Sequence, residues 1–243
     1  MIDLHCHILP GVDDGSDSPD TSCRMAAQAA RSGVTRIVAT PHRGSDPARE
    51  RGRAEGFRRA LRRLQDELDR WSIPIRLLPG SEVLLSGRTE DLPDRAELLT
   101  LNDTQYLLVE FYFDASSASM DRRLSRVEQA GLIPVIAHPE RYFCVQENPA
   151  AAGRWAERGY LLQVNKGSLL GELGEGAYLT AALLLRRGLA AAIASDAHDW
   201  RARNADMRPL YETLERRFPG VDPALLLEEN PRRILRGLSP EFD

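Results

Sequence analysis

Short apolar runs rich in β-branched residues, each followed by a longer amphipathic stretch, constrain this chain more than any other feature. The runs are Ile2–Ile8, Arg36–His42, Ile75–Val83, Tyr106–Tyr112, Ile133–His138, Leu161–Val164 and Ala191–Ser195. Helix-like stretches lie between them: Pro19–Arg31, Ala48–Trp71, Ser119–Ala130, Pro149–Arg158, Gly176–Arg187 and Ala205–Arg217. Several of these close on glycine, at Gly33, Gly131, Gly159 and Gly188, as helix ends prefer. Runs such as IPVIA and AAIAS are apolar on both faces, which suits parallel strands covered by helices. The repeating strand–helix order predicts an α/β fold, a (β/α) barrel in preference to a doubly wound open sheet. In the Ala48–Trp71 stretch, RRALRRLQDELDR reads as a solvated face, with Phe57, Leu61, Leu64, Leu68 and Trp71 as the buried stripe. With no Ser/Gly linker, repeat or low-complexity segment, residues 1–243 read as one domain, a length that α/β barrels reach as single units.

The five histidines fall where such a fold collects chemistry. His5 and His7 are two apart on the first run, so they share a strand face while Leu4 and Cys6 take the other. His42 and His138 end their runs, and His198 follows AAIASD. Strand C-terminal ends line the functional mouth of a βα barrel, so all five should converge. A lone histidine is more often a satisfied core or surface side chain. Two imidazoles side by side, joined by three more at strand ends, instead favour a transition-metal site.

Carboxylates occupy matching places. Glu82 follows IRLLPGS, Glu110 sits within YLLVEFYF, and Asp196 stands two before His198. An ionised acid in an apolar strand is costly unless paired or cation-bound, which makes Glu110 the most telling. Glu82 could alternatively cap a helix. Asp13 and Asp14 in PGVDDG offer a further ligand, or a simple Asx turn before Gly15. Histidine and carboxylate donors without cysteine argue against a closed structural zinc site and suit Mn²⁺, Fe or catalytic Zn²⁺. Several such cations a few Å apart would generate a bridging hydroxide and clamp a transferring phosphoryl group. Arg141 in HPER and Arg203, five past His198, are placed to grip phosphate oxygens; Arg201 competes with Arg203.

Other chemistries fit poorly. No cysteine is followed by arginine six positions later, and there is no GxSxG or P-loop pattern. Cys6, Cys23 and Cys144 are odd in number without CxxC spacing, which favours a reducing cytoplasm over a disulfide framework. The net charge of −4, from 32 basic and 36 acidic residues, gives no nucleic-acid footprint. No apolar run reaches the roughly 18 residues of a membrane span, and the first residues lack a basic n-region.

Taken together, IDLHCHILPGVDDG, IVATPH, GSEV, YLLVEF, IAHPERY and ASDAH resemble the PHP-type (polymerase and histidinol phosphatase) protein-tyrosine phosphatases of the CpsB/CapC family, with matching spacing from the first residue to about Arg203. The resemblance implies a distorted (β/α)₇ TIM-like barrel with a trinuclear site, usually manganese. It implies dephosphorylation of an autophosphorylated bacterial tyrosine kinase that controls capsule or exopolysaccharide synthesis. By motif position the ligands would be His5, His7, one of Asp13 or Asp14 (Asp14 by preference), His42, Glu82, Glu110, His138, Asp196 and His198. The phosphate-gripping arginines would be Arg141 and Arg203. Arg43 departs from the pattern, since relatives carry a second histidine after TPH, and so it bears on substrate contacts at the rim. A small phosphate ester such as histidinol phosphate is the alternative substrate, and a metal-binding regulatory module without turnover is the alternative outside enzymes.

Overall fold

Strand β1 (Ile2–Cys6) is followed by helix α1 (Pro19–Arg31), whose start is written in its sequence. The Ser18 side chain accepts from Thr21 N, proline occupies the first helical position, Asp20 lies in the first turn and Arg31 in the last. The chain continues through β2 (Arg36–Ala39), β3 (His42–Gly44), α2 (Arg53–Arg70), β4 (Arg76–Pro79), β5 (Glu82–Leu84), β6 (Tyr106–Glu110), α3 (Ser117–Gln129) and β7 (Ile133–Ala137). Short helices α4 (Phe143–Glu147) and α5 (Ala150–Glu157) precede β8 (Leu161–Asn165), then come α6 (Lys166–Leu170), α7 (Glu175–Arg186), β9 (Ala192–Ala194), α8 (Arg208–Arg217) and α9 (Asn230–Ile234). This computed structural model describes residues 1–44, 46, 50–86, 92 and 97–242, so the expected helix start at Ala48 lies outside the described residues.

All the paired strands are parallel. One sheet has the order β1-β2-β4 and the other β3-β5-β6-β7-β8-β9. Two runs expected as single strands are therefore split: Arg36–His42 breaks at Thr40 and Pro41, and Ile75–Val83 breaks at Gly80 and Ser81. Pro41 has no N–H for the ladder. Gly80 sits so close to β2 that a Cβ there would lie 2.6 Å from Val38 Cγ1. At the other edge, Asp196 N donates to His5 O (2.8 Å) and His7 N to Ala197 O (2.9 Å), joining the end of β1 to the segment after β9.

The packing sorts by strand parity. Leu107, Val109, Ile136, Leu162, Val164 and Ile193 pack with the helix layer, among Met25, Leu64, Leu124 and Trp155. Their neighbours Tyr106, Leu108, Val135, Ala137, Leu161, Ala192 and Ala194 form a second cluster with Leu101, Ile234 and Leu235. β1 breaks this rule. Its register against β2 slips between Asp3 and Cys6, so Leu4 joins the second cluster while Cys6 joins the helix layer. The two do not share a face as simple alternation predicts.

A second correction concerns Trp71, which is 69% exposed and no part of the α2 stripe, whereas Phe57, Leu64 and Leu68 are buried. Trp71 caps the helix, and Ser72 then turns the chain at φ 52°. Ser72 N donates to Asp69 O and Ile73 N to Leu68 O, the bonds of a Schellman motif. Ile73 thereby takes the place against the core that helical spacing assigns to Trp71.

Candidate metal centre

All nine candidate ligands gather at one end of the strands, around the breaks after which β3 and β5 begin. His5 and His7 are fully buried with their Nε2 atoms 3.1 Å apart. Glu82 opens β5, is fully buried, and is no helix cap. Its Oε2 lies 3.1 Å from His5 Nε2, 3.3 Å from His7 Nε2 and 3.2 Å from His42 Nδ1. Its Oε1 lies 3.0 Å from His138 Nε2. Glu110 Oε1 lies 2.8 Å from His42 Nδ1, and Asp196 Oδ1 3.5 Å from both His5 and His7 Nε2. His138 (φ 36°) and Asp196 (φ 51°) both hold left-handed backbone that non-glycine residues adopt at a cost, the kind of strain that concentrates at functional sites.

Three groups of side chains have donor atoms close enough to share a cation: His7, Asp14, His42 and His198; His5, His7 and Asp196; His42, Glu82 and Glu110. His138 belongs to none of them and touches the cluster through Glu82. Glu82 Oε2, His138 Nδ1 and His198 Nε2 are buried without a hydrogen-bond partner. Glu82 Oε2 and His198 Nε2 lie among the facing imidazole and carboxylate atoms, where a cation would satisfy them, so the donor set fits a metal.

The PGVDDG loop separates its two aspartates. Asp13 Oδ2 accepts from His7 Nδ1 and from His42 N, each at 2.9 Å, and Asp13 Oδ1 accepts from Gly15 N. Asp13 thus orients His7 from behind. Asp14 Oδ1 instead faces His42 Nε2 at 3.3 Å and His198 Nε2 at 3.5 Å. Only glycine fits after them, because a Cβ on Gly15 would lie 2.2 Å from His7 O.

Electrostatics follow from burial and pairing. Burial alone would raise the Glu82 and Asp196 carboxyls, but the facing imidazoles outweigh it and hold both well below the usual range. Burial opposes protonation of His5 and His7 as well, and there the carboxylates win and raise both. His198 goes the other way, to about 4, pushed down by burial and then by His7 and Arg203.

Arg203 Nη2 stands 2.6 Å from Asp196 Oδ2, and Arg141 Nη1 3.6 Å from the same oxygen. Arg141 stacks over Phe113 at 4.4 Å from the ring centroid. Arg201 instead stacks 4.6 Å over the Trp200 ring. Arg43 is not at the rim: it is buried, with Nε 3.0 Å from Glu50 Oε2 and Nη2 3.1 Å from Glu50 O, and it also bonds Glu97 O. Cys6 is buried at the back of β1, and burial raises its thiol well above the ordinary value.

Sequence reasoning passed over four braces. Asp3 is fully buried and accepts from Ser195 N and Oγ, tying β1 to β9. Gln163 Oε1 meets His5 Nδ1 at 2.8 Å, and Asn165 Nδ2 donates to Asp196 Oδ2 at 2.6 Å. Buried Lys166 bonds the Asn204 side chain and backbone and Asp206 O. The signal for Gln163 and Asn165 was present: polar residues at alternate positions of an otherwise apolar run, LLQVN.

The geometry agrees with the company the chain keeps. Residues 1–236 match the family model described as capsular polysaccharide synthesis, CpsB/CapC. The tyrosine-protein phosphatase YwqE of Bacillus subtilis is 37% identical over 236 residues, covering 97% of this chain and 92% of that protein. The tyrosine-protein phosphatase CpsB of Streptococcus pneumoniae is 31% identical over 245 residues, covering 97% and 98%. A solved structure from work on those two proteins, described there as metal-dependent tyrosine phosphatases, superposes with a TM-score of 0.85 at 36% identity, covering 100% of this chain and 97% of that one. A phosphotriesterase homology protein of Escherichia coli shares the fold at a TM-score of 0.57 and 15% identity, covering 97% of each chain. With a family match over nearly its whole length, and relatives this similar along it, the chain belongs to the CpsB/CapC family.

Proposed function

We propose that this chain is a metal-dependent phosphomonoesterase that removes phosphate from tyrosine in a protein substrate. One observation carries the reading. Three imidazole nitrogens surround Glu82 Oε2 within 3.3 Å, and two guanidiniums reach Asp196 Oδ2 on the same rim. A ligand nest edged by two cationic forks is what a phosphoryl group needs. The relatives' names supply the tyrosine.

His5, His7, Asp14, His42, Glu82, Glu110, His138, Asp196 and His198 are the proposed ligands, for up to three ions. Mn²⁺ is the proposed metal, and Fe or Zn²⁺ satisfies the same donors. When bound, such ions supply Lewis acidity and activate water for attack. Arg141 and Arg203 turn from Asp196 Oδ2 to the non-bridging phosphoryl oxygens, and Phe113 keeps the Arg141 plane fixed as it does so. The tyrosyl leaving group, with a phenol pKa of about 10, departs more readily than an alkoxide. The proposed reaction uses no cysteinyl phosphoenzyme, since Cys6 is fully buried behind the strand.

The two parallel sheets are best read as one distorted (β/α)₇ barrel in a single domain over 1–243. The paired breaks in two strands and the hydrogen bonds between β1 and the segment after β9 support that reading. Among the described residues no helix is long and apolar enough to cross a membrane. We place the enzyme in the cytoplasm, acting on a bacterial tyrosine kinase of capsule or exopolysaccharide synthesis. The deciding experiment compares Mn²⁺-loaded turnover on a phosphotyrosine peptide and on histidinol phosphate. Preference for histidinol phosphate would replace the substrate, and phosphate binding without turnover of either would replace the enzyme with a regulatory module.

A further inference from the structure

Strand β8 contributes no candidate ligand, yet two of its side chains touch two of them. Gln163 and Asn165 share the strand face of Leu161, the face of the second apolar cluster, and are almost wholly buried. A buried carboxamide can face a partner with its oxygen or its nitrogen, and the choice decides what the partner must do. Here the backbone makes the choice. Gln163 Nε2 donates to Val164 O at 2.9 Å, which leaves Oε1 for His5 Nδ1. Asn165 Oδ1 accepts from Gly167 N at 2.9 Å as the cap of α6, which leaves Nδ2 for Asp196 Oδ2. Asn165 is held a third way, through its own N–H to Glu140 Oε1 at 3.0 Å.

Each pinned amide fixes its partner. An oxygen can only accept, so His5 Nδ1 carries a hydrogen, and Nε2 is the nitrogen aimed at the cluster of His7, Glu82 and Asp196 and free to ligate. Asn165 Nδ2 can only donate, so it occupies Asp196 Oδ2 and leaves Oδ1 toward His5 and His7. We infer that Gln163 and Asn165 are positioning residues that set the ligating atom of His5 and of Asp196, so that β8 serves the metal site without binding metal. This does for His5, through a neutral amide, what Asp13 does for His7 through a charge.

The inference rests on the proposed ligand assignment, and the test separates the two. Mn²⁺ stoichiometry and affinity are measured by competition with a chromophoric chelator for the wild type, Gln163→Met, Gln163→Glu, Asn165→Ser and His5→Ala. Methionine keeps the length of Gln163 without an acceptor, and glutamate keeps the acceptor. Serine keeps the helix cap of Asn165 and loses the reach to Asp196. Gln163→Met and Asn165→Ser should each weaken Mn²⁺ binding by roughly 10- to 100-fold, with Gln163→Glu at or above wild type. In Zn²⁺-loaded protein, imidazole ¹H–¹⁵N correlation should show the His5 Nδ1–H signal in wild type and Gln163→Glu, and its loss or rapid exchange in Gln163→Met. Wild-type affinity in folded Gln163→Met or Asn165→Ser overturns the inference, as do equal losses in Gln163→Met and Gln163→Glu, which mean packing alone. Should Gln163→Met not fold, Asn165→Ser and Gln163→Glu decide on the same terms. A full Mn²⁺ complement in His5→Ala would instead overturn the ligand assignment.

Discussion

Arg203 reaches the outer oxygen of Asp196 at 2.6 Å while the inner oxygen of the same carboxylate faces His5 and His7. One side chain thus divides its two oxygens between the candidate ligand nest and the rim. Arg141 approaches the same outer oxygen at 3.6 Å. The carboxylate holds both forks where a phosphoryl group would enter, and the anion that arrives must displace it as their partner.

Replacing either fork should therefore leave the metals and remove charge stabilisation. Arg141→Ala and Arg203→Ala are expected to keep a wild-type metal content and lose roughly 10²-fold or more in turnover. Lysine should rescue poorly at both, since it keeps the charge without the planar fork. Metal analysis and steady-state kinetics beside His138→Ala decide the matter. Near-normal turnover in metal-replete Arg141→Ala would make it a structural partner of Asp196 and Phe113.

Much of this was legible in the chain before folding was considered. Alternation of apolar runs and amphipathic stretches gave the parallel α/β class, and strand-end placement gave the gathering of His5, His7, His42, His138 and His198. Three things were not legible, for physical reasons. Periodicity cannot register a bulge, so the separation of Leu4 from Cys6 was missed. A helix end releases its residues from helical spacing, so the spacing marks Trp71 as core when Ile73 takes that place. A bulky arginine beside a candidate ligand histidine reads as a rim residue, but Arg43 is drawn inward by Glu50 and two backbone carbonyls. The braces on β8 leave a fainter mark, because a neutral amide in an apolar strand lacks the burial penalty of a charge.

Cysteine chemistry should be dispensable. Cys6 is buried behind the strand, Cys144 Sγ lies 3.7 Å from Met120 Sδ, and all three cysteines are free thiols. Burial raises all three thiols above their ordinary value, opposite to what a nucleophilic cysteine needs. Cys6→Ala, Cys23→Ser and Cys144→Ser combined should retain phosphatase activity within a few-fold, whatever the change in melting temperature. Loss of turnover in a folded, metal-loaded triple variant would refute a reaction without phosphoenzyme.

Chelation should abolish hydrolysis, and Mn²⁺ should restore it better than Mg²⁺, which prefers all-oxygen sites and keeps its waters. Activity that persists in excess chelator after dialysis would sink metal dependence. The stripped protein should also respond to pH with a defined sign. His5, His7 and His42 are raised above the ordinary histidine value when no cation is present, because facing carboxylates outweigh their burial. Their stabilisation is full below that ordinary value and is lost as pH rises through the raised ones. His198, held near 4 mainly by burial, acts only below the ordinary value. Above about pH 6.5 the raised groups therefore set the trend. The melting temperature of stripped protein should fall with rising pH there, while added Mn²⁺ should stabilise more strongly at higher pH, where fewer protons must leave. A flat or rising melting temperature in chelator would contradict the pairing of these imidazoles with their carboxylates.

Lys166 offers the sharpest separation of stability from function. Its ammonium is buried at the end of β8, and its bonds go to the Asn204 side chain (3.1 Å), the Asn204 backbone and Asp206 O (3.2 Å). These acceptors follow Arg203 directly, so the lysine fastens the segment that presents the fork to Asp196. Burial lowers its pKa, a sign that the charge is held there at a cost. Lys166→Met fills a similar volume and removes that cost together with the tether. Asn204 and Asp206 are only half-buried, so water can satisfy the acceptors that the lysine leaves and stability need not suffer. The expected variant melts near the wild-type temperature and binds Mn²⁺ normally, but it turns over roughly 10-fold more slowly because Arg203 is no longer held in register. Adding Arg203→Ala to it should cost little beyond Arg203→Ala alone, since the two changes act on the same contact. Fully additive losses in that double-mutant cycle would mean that Lys166 serves something other than Arg203.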